Sequence, residues 1–315
     1  MGVSSEGQGL SLPLPFPVFR GFPILGTSFT WALAWEMVFQ RAVRLMVKGM
    51  TLMNRPFYAA LGHRTVLRSF VSKEILGRYA GSFAGLFWIV LEPLASIVVY
   101  SFLFTAVFRV RLDPATAGTD SFTLYFLAAY FPWLIFSDTV VRAAASVLGN
   151  AGLVSKVIFP VELLPLSSVL SSFLTHGVGF FLYLVFMLWK GYASSSWLFF
   201  PLLLMFLFLL SCGMAFFVSA LTVFVRDVQH SLSVFLMVWF YATPVLYPVS
   251  FVPESIQSYL WLNPMTYTVS CFRDVLLGAT FRWEIFSGLA LSALVLYSVG
   301  VWFFSRSKRA FADVL

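Results

Sequence analysis

Few residues in this 315-residue chain are placed to do covalent chemistry. His63, His176 and His230 lie far apart and form no H-E-x-x-H pair on a helix face. Cys212, in an apolar block, and Cys271, in an expected loop, share no metal or redox spacing, which argues against a zinc site or a disulfide framework. No glycine is followed by lysine, so the G-x-x-x-x-G-K-[ST] loop that cradles nucleotide phosphates is missing from the sequence. No loop carries the paired carboxylates that a glycosidase or a metal-dependent transferase needs. The expectation is a chain that moves a substrate rather than transforming it, with no catalytic residue, cofactor or metal of its own. Its energy must then come from a partner or a gradient.

Ion-coupled transporters keep ionisable groups at mid-membrane, and here the candidates are few. Asp138 and Arg142 stand four apart and can pair on one helix face, a structural pair on the plainer reading. Glu92 lies about two helical turns into an apolar block, near enough to reach the cytoplasmic interface. His176 reads as a hydrogen-bond donor between helices.

The elements that must position these groups are membrane helices. Hydrophobic residues make up 60% of the chain and charged residues 10%, against about 25% charged in a soluble domain. The mean hydropathy is +0.90. Six apolar blocks, each near the ~20 residues needed to cross hydrocarbon, run over 84–108, 122–141, 166–189, 197–225, 232–248 and 285–304. The fifth is short and ends in Pro244 and Pro248. Residues 1–60 read as an N-terminal cytoplasmic tail with an amphipathic helix, and residues 61–315 as the transmembrane domain. Up to about Thr27 the tail is Gly-, Ser- and Pro-rich, without a helical period and without the features of a signal peptide or a myristoylation site. From Phe29 to Met53, Trp31, Trp35, Val38, Phe39, Ala42 and Met46 share one helical face. Arg41, Arg44 and Lys48 interrupt that run and favour a surface helix over a weak first span. A second amphipathic stretch covers 65–79, with Leu67, Phe70, Val71 and Ile75 among Arg64, Arg68, Lys73 and Arg78.

Basic residues set the orientation. Ten lie in one set of loops: Arg64, Arg68, Lys73, Arg78, Arg142, Lys156, Arg226, Arg306, Lys308 and Arg309. Five lie in the opposite set: Arg109, Arg111, Lys190, Arg273 and Arg282. Both termini are therefore expected in the cytoplasm. The net charge of +7 fits a cytoplasmic face near anionic lipid rather than nucleic acid.

The loop between the second and third blocks is the most informative. A short helix over Asn150–Ile158 would carry Leu153, Val157 and Ile158 on one side and leave Lys156 exposed. Pro160 and Pro165 bracket the return to the membrane, since proline is tolerated at a helix start and disfavoured inside it. A half-apolar helix in a cytoplasmic loop suits a partner's groove.

At these residues the chain resembles the ABC-2 type permeases that export O-antigen, capsule or teichoic acid. Arg78-Tyr79-Ala80-Gly81-Ser82, followed by Gly85, Trp88, Glu92 and Pro93, is similar to the start of the first span in that family. Phe159-Pro160-Val161-Glu162-Leu163-Leu164-Pro165 is similar to its F-P-x-E-x-x-P segment. Arg226-Asp227, Thr243-Pro244-Val245-Leu246-Tyr247-Pro248 and Leu262-Asn263-Pro264 with Arg273 follow in order. The matches run over about 64–315, and the first 60 residues depart from the pattern.

The resemblance implies an all-α integral membrane protein of six transmembrane helices, an amphipathic interface helix and short re-entrant extracytoplasmic gate helices. It implies a homodimer in a bacterial inner membrane, two copies of a separate ATP-binding cassette subunit that hold the ATP and Mg, and a lipid-linked polysaccharide as cargo. Asn150, Leu153, Lys156, Phe159, Pro160 and Glu162 would then couple to the ATPase. Arg68, Lys73, Arg78 and Tyr79 would belong to the interface helix, and Asn263, Pro264 and Arg273 to the gate within 253–280. Glu92, Tyr100, Phe104, Trp239 and Tyr241 are candidates for the translocation path, where aromatic faces can stack on pyranose rings. Against this, aromatic residues in spans commonly face lipid or interfaces. The rival cargoes are a drug or a simple lipid. A membrane transferase or scaffold is the rival class, disfavoured by the lack of clustered catalytic groups.

Overall fold

A helix is the one open-ended element that satisfies its own backbone in hydrocarbon, and apolar runs of this length have no other way to fold there. The computed structural model describes residue 54 and residues 56–109, 111–157, 159–278 and 282–315. Residues 1–53 of the expected tail, which include the amphipathic stretch of 29–53, and Ile158 lie outside the described residues.

The principal helices are labelled in chain order: α1 Arg64–Tyr79, α2 Trp88–Phe102, α3 Phe122–Ser146, α4 Ala151–Lys156, α5 Leu163–Trp189, α6 Phe200–Phe224, α7 Asp227–Ala242, α8 Glu254–Leu260, α9 Pro264–Leu276 and α10 Trp283–Ser307. Five helical stretches among the described residues are long and apolar enough to cross a membrane: Gly85–Val107, Phe122–Ser146, Leu163–Trp189, Ser195–Phe224 and Trp283–Ala310. They coincide with five of the six expected blocks.

The remaining block differs. Instead of running from 232 to 248, α7 is a 16-residue helix that ends at Ala242. At 1.5 Å per residue it is about 24 Å long, short of the ~30 Å hydrocarbon core. Pro244 is the reason, because its ring excludes the helical conformation at the residue before it. Thr243 is accordingly extended (φ −97°, ψ 135°). Cys271 and Arg273, expected in a loop, lie in α9 and are buried.

The core centres on α3, whose Phe126, Ala128, Ala129, Phe136, Val140 and Ala144 are fully covered. Helices α5, α6 and α9 surround it. By contrast α2 has no buried residue, and α7 buries only Leu232 and Leu236. Between helices in lipid, small residues let backbones approach and packing supplies the attraction. The contact of α6 with α10 depends on this: a Cβ on Gly300 would lie 2.0 Å from the Gly213 carbonyl oxygen.

Gly300→Val should therefore push α6 and α10 apart and destabilise the protein by at least the ~1–3 kcal/mol typical of overpacking. Thermal unfolding in detergent tests this, and an unchanged midpoint would contradict the packing described.

Candidate functional site

One loop set carries ten of the Lys and Arg counted near the spans and the other five. At the more basic end, α1 lies against the start of α5 through Leu67 and Val71, one turn apart on its buried face. Glu74 on the same face accepts hydrogen bonds from Ser167 (2.8 Å) and Ser168 (3.0 Å) of α5. Arg68 and Lys73 are exposed. Arg78 is exposed overall, but its guanidinium reaches Asp138 of α3, and Tyr79 is buried.

Helix α4 hangs between α3 and α5 and is held from three sides. Lys73 Nζ donates to Asn150 Oδ1 (3.5 Å), and Asn150 Nδ2 caps the end of α3 at the Ser146 carbonyl (2.8 Å). The Phe159 ring meets Phe70 of α1 at 6.1 Å. Glu162, 6% exposed, forms an ion pair with Lys308. Pro160 caps the turn into α5 by accepting from the Leu163 N–H (3.0 Å). Leu153 and Val154 are half-buried, whereas Ser155 and Lys156 face outward. The helix is shorter than expected: it stops at Lys156, so Val157 is extended and 50% exposed instead of packing on the inner side.

About two turns inside that end of α3, Asp138 gathers a polar cluster. The expected pair with Arg142 forms at 2.7 Å. Ser172 of α5 donates to Asp138 (2.8 Å), and Arg78 reaches it from α1 (3.4 Å). His176 Nε2 is 3.3 Å away, within ion-pair range but not aligned as a hydrogen bond. Arg78 also lies 3.9 Å from the half-exposed Glu92. Tyr79, Glu92, Ser96, Tyr130 and His176 line a cleft of about 70 Å³ beside the cluster. Sequence reasoning found the Asp138–Arg142 pair but missed its partners on α5. The same spacing was present, since Ser172 and His176 also stand four apart, but among Ser167, Ser168, Ser171 and Thr175 it did not stand out.

At the opposite end Arg273 is the organising residue. It is 5% exposed, and its Nη1 and Nη2 donate to the Pro244 and Val245 carbonyls (2.6 Å each) beyond the end of α7. Its Nε donates to the Tyr125 carbonyl (3.1 Å), and the guanidinium sits 3.7 Å from the Tyr125 ring centroid. Asn263 adds a second tie. Its Oδ1 accepts from Met265 N–H and Trp239 Nε1 (2.9 Å each), and its Nδ2 donates to Thr243 Oγ1 (2.8 Å). Pro264, at the first position of α9, begins the helix at no hydrogen-bond cost. Asp274 receives a two-pronged bond from Arg282 (2.9 and 2.7 Å).

The five translocation-path candidates do not share one surface. Tyr100 packs on Phe126 and Tyr130, Phe104 is buried against Phe122 and Phe126, Trp239 is tied to Asn263, and Glu92 and Tyr241 are exposed. Among the described residues no cluster of three or more His, Cys, Asp or Glu could hold a metal ion.

Asp138→Asn should leave Arg142 without its counter-charge and Arg78 with Glu92 alone, and cost ~2 kcal/mol, between exposed and fully buried pairs. Adding Arg142→Leu should recover part of the loss. Unfolding midpoints of the single and double variants check this, and additive losses would contradict it.

The chain has clear relatives. It is 34% identical over 220 residues (68% of this chain, 80% of the relative) to an O-antigen export system permease protein of Myxococcus xanthus. A Klebsiella pneumoniae protein of the same description is 29% identical over 246 residues, covering 78% and 92% of the two chains. A polysialic acid transport protein of Escherichia coli is 23% identical over 229 residues, covering 72% and 85%. The family description "ABC-2 type transporter" matches residues 65–277, a stretch that contains α4, the Asp138 cluster and Arg273. The chain belongs to the ABC-2 type transporter family and is a multi-pass membrane protein.

Proposed function

We propose that this chain is the membrane subunit of an ATP-driven exporter that carries a lipid-linked, O-antigen-like polysaccharide out of the cytoplasm across a bacterial inner membrane. The observation that carries the reading is α4: a short helix that touches the C-terminal turn, with its flanking Asn150, Phe159 and Glu162 tied to Lys73, Phe70 and Lys308 and with Ser155 and Lys156 turned outward. A side-chain-braced helix that presents one polar face suits a partner's groove. A permease without a phosphate-binding loop needs such a partner, and we assign it as two copies of an ATP-binding cassette subunit holding ATP and Mg. The α4 end, richer in Lys and Arg, then faces the cytoplasm together with both termini.

In this reading α7 and the turn after it complete a sixth crossing, and α8 and α9 form a re-entrant extracytoplasmic gate fixed by Asn263, Pro264 and Arg273. Irregular backbone at that depth needs protein cover, which Arg273 supplies at Pro244 and Val245. A second copy of the chain would cover the two least buried helices, α2 and α7. Glu92, Tyr100, Trp239 and Tyr241 lie on these two helices, so a path for sugar rings would run between the copies. Nucleotide binding would press on α4 and tilt the spans around that path. The relatives' descriptions name O-antigen and polysialic acid, which supports a polysaccharide over a drug or simple lipid.

Replacing Lys156 and Phe159 together with Ala should uncouple the two activities: ATP hydrolysis by the assembled complex continues while polysaccharide export falls by the 5- to 150-fold typical of lost coupling. Export at the wild-type level from the double variant would remove α4 as the coupling helix.

A further inference from the structure

We propose that Lys308, with Glu162 as its partner, is a positioning residue that makes the inner end of α10 move with the coupling loop; the inference rests on the exporter reading above. The covalent chain carries a push on α4 only into its neighbours α3 and α5. Helix α10 is reached from α4 by another route, through contacts with the C-terminal residues. Glu162 occupies the N-cap of the 27-residue α5, yet its carboxylate makes no capping bond and turns to Lys308 instead. Lys308 is the C-cap of α10. Each charge therefore also sits at the helix end whose dipole favours it, and the pair joins two long helices end to end across 146 positions of sequence.

The surroundings hold this link in place. Three residues beyond Lys308, Phe311 is fully buried, with its ring 5.5 Å from Phe304 of α10 and 6.1 Å from Phe224 of α6. The turn Phe311–Val314 contacts α4 itself. Coupling helix, α5 start and α10 end thus form one bracket with an ion pair at its joint. An ion pair suits a moving joint because its attraction reaches over several ångströms, whereas a packed apolar contact loses much of its energy over a gap of 0.5–1 Å. Most of Glu162 is buried, so removing Lys308 alone leaves a dehydrated charge without a partner, a strongly destabilising change. Removing both charges together is close to neutral for folding, and this separates transmission from stability.

The test uses the complete complex of this chain with its ATP-binding subunit in proteoliposomes, with lipid-linked polysaccharide extracted from the same cells as the probe. The measured quantity is polymer moved per ATP hydrolysed. Glu162→Gln combined with Lys308→Met should assemble like the wild type but lower that ratio by roughly 5- to 150-fold, the usual span of coupling between sites. Lys308→Arg, and the exchange of Glu162→Lys with Lys308→Glu, should restore it. A charge-free double variant that keeps the wild-type ratio overturns the proposal. So does a double variant that no longer assembles while Lys308→Arg does, because the pair is then a structural tie alone. A wild-type complex that hydrolyses no ATP would sink the exporter reading itself, and this inference with it.

Discussion

The Pro244 and Val245 carbonyls lie just past the end of α7 in two buried residues, with no next helical turn to satisfy them. The rest of that end depends on how they are paired. A single guanidinium reaches both, and its third donor takes the Tyr125 carbonyl of α3. Arginine suits the position because its planar fork presents several donors in fixed geometry, which a lysine ammonium cannot do. With these carbonyls paired, the chain can end α7 within the bundle. It can then turn through Pro248 and return as α8 and α9, with the Asn263 bonds to Trp239 and Thr243 holding the crossing in register.

The two ends of the bundle are built differently. At the Arg273 end, the central guanidinium bonds to three backbone carbonyls and lies over the Tyr125 ring, an arrangement that fixes one geometry. At the α4 end the ties run between side chains of elements far apart in sequence: Glu74 to Ser167 and Ser168, Lys73 to Asn150, Arg78 to Asp138 and Glu162 to Lys308. Such ties keep α1, α4, α5 and α10 together while leaving each free to shift slightly. The exporter proposed above, with energy received at the α4 end and a barrier at the other, would draw on this asymmetry.

Much of the plan was legible in the sequence because membrane burial writes long apolar blocks. Five blocks matched helices closely, and α1 began within one residue of its expected start. The block ending in Pro248 misled, since hydropathy continues through Thr243-Pro244-Val245 although the backbone cannot remain helical there. Arg273 was counted as a loop charge because hydropathy averages a short polar helix into a loop. Its real role was hidden, since its acceptors are backbone carbonyls that carry no residue identity. Lys308 was hidden for another reason: an ion pair spanning 146 residues leaves no local pattern. The Asp138 cluster was half legible, from the four-residue spacing on α3, and its α5 half could have been found the same way.

The proposed function requires that this chain work with a separate ATP-binding subunit. The most direct measurement is the composition and mass of the complex extracted in mild detergent from cells expressing the chain in its native genomic setting. The account predicts a particle holding two copies of this chain and two of a P-loop ATPase, with ATP hydrolysis that follows the particle through purification. A chain that purifies without any ATP-binding subunit, under conditions that keep it folded, would contradict it.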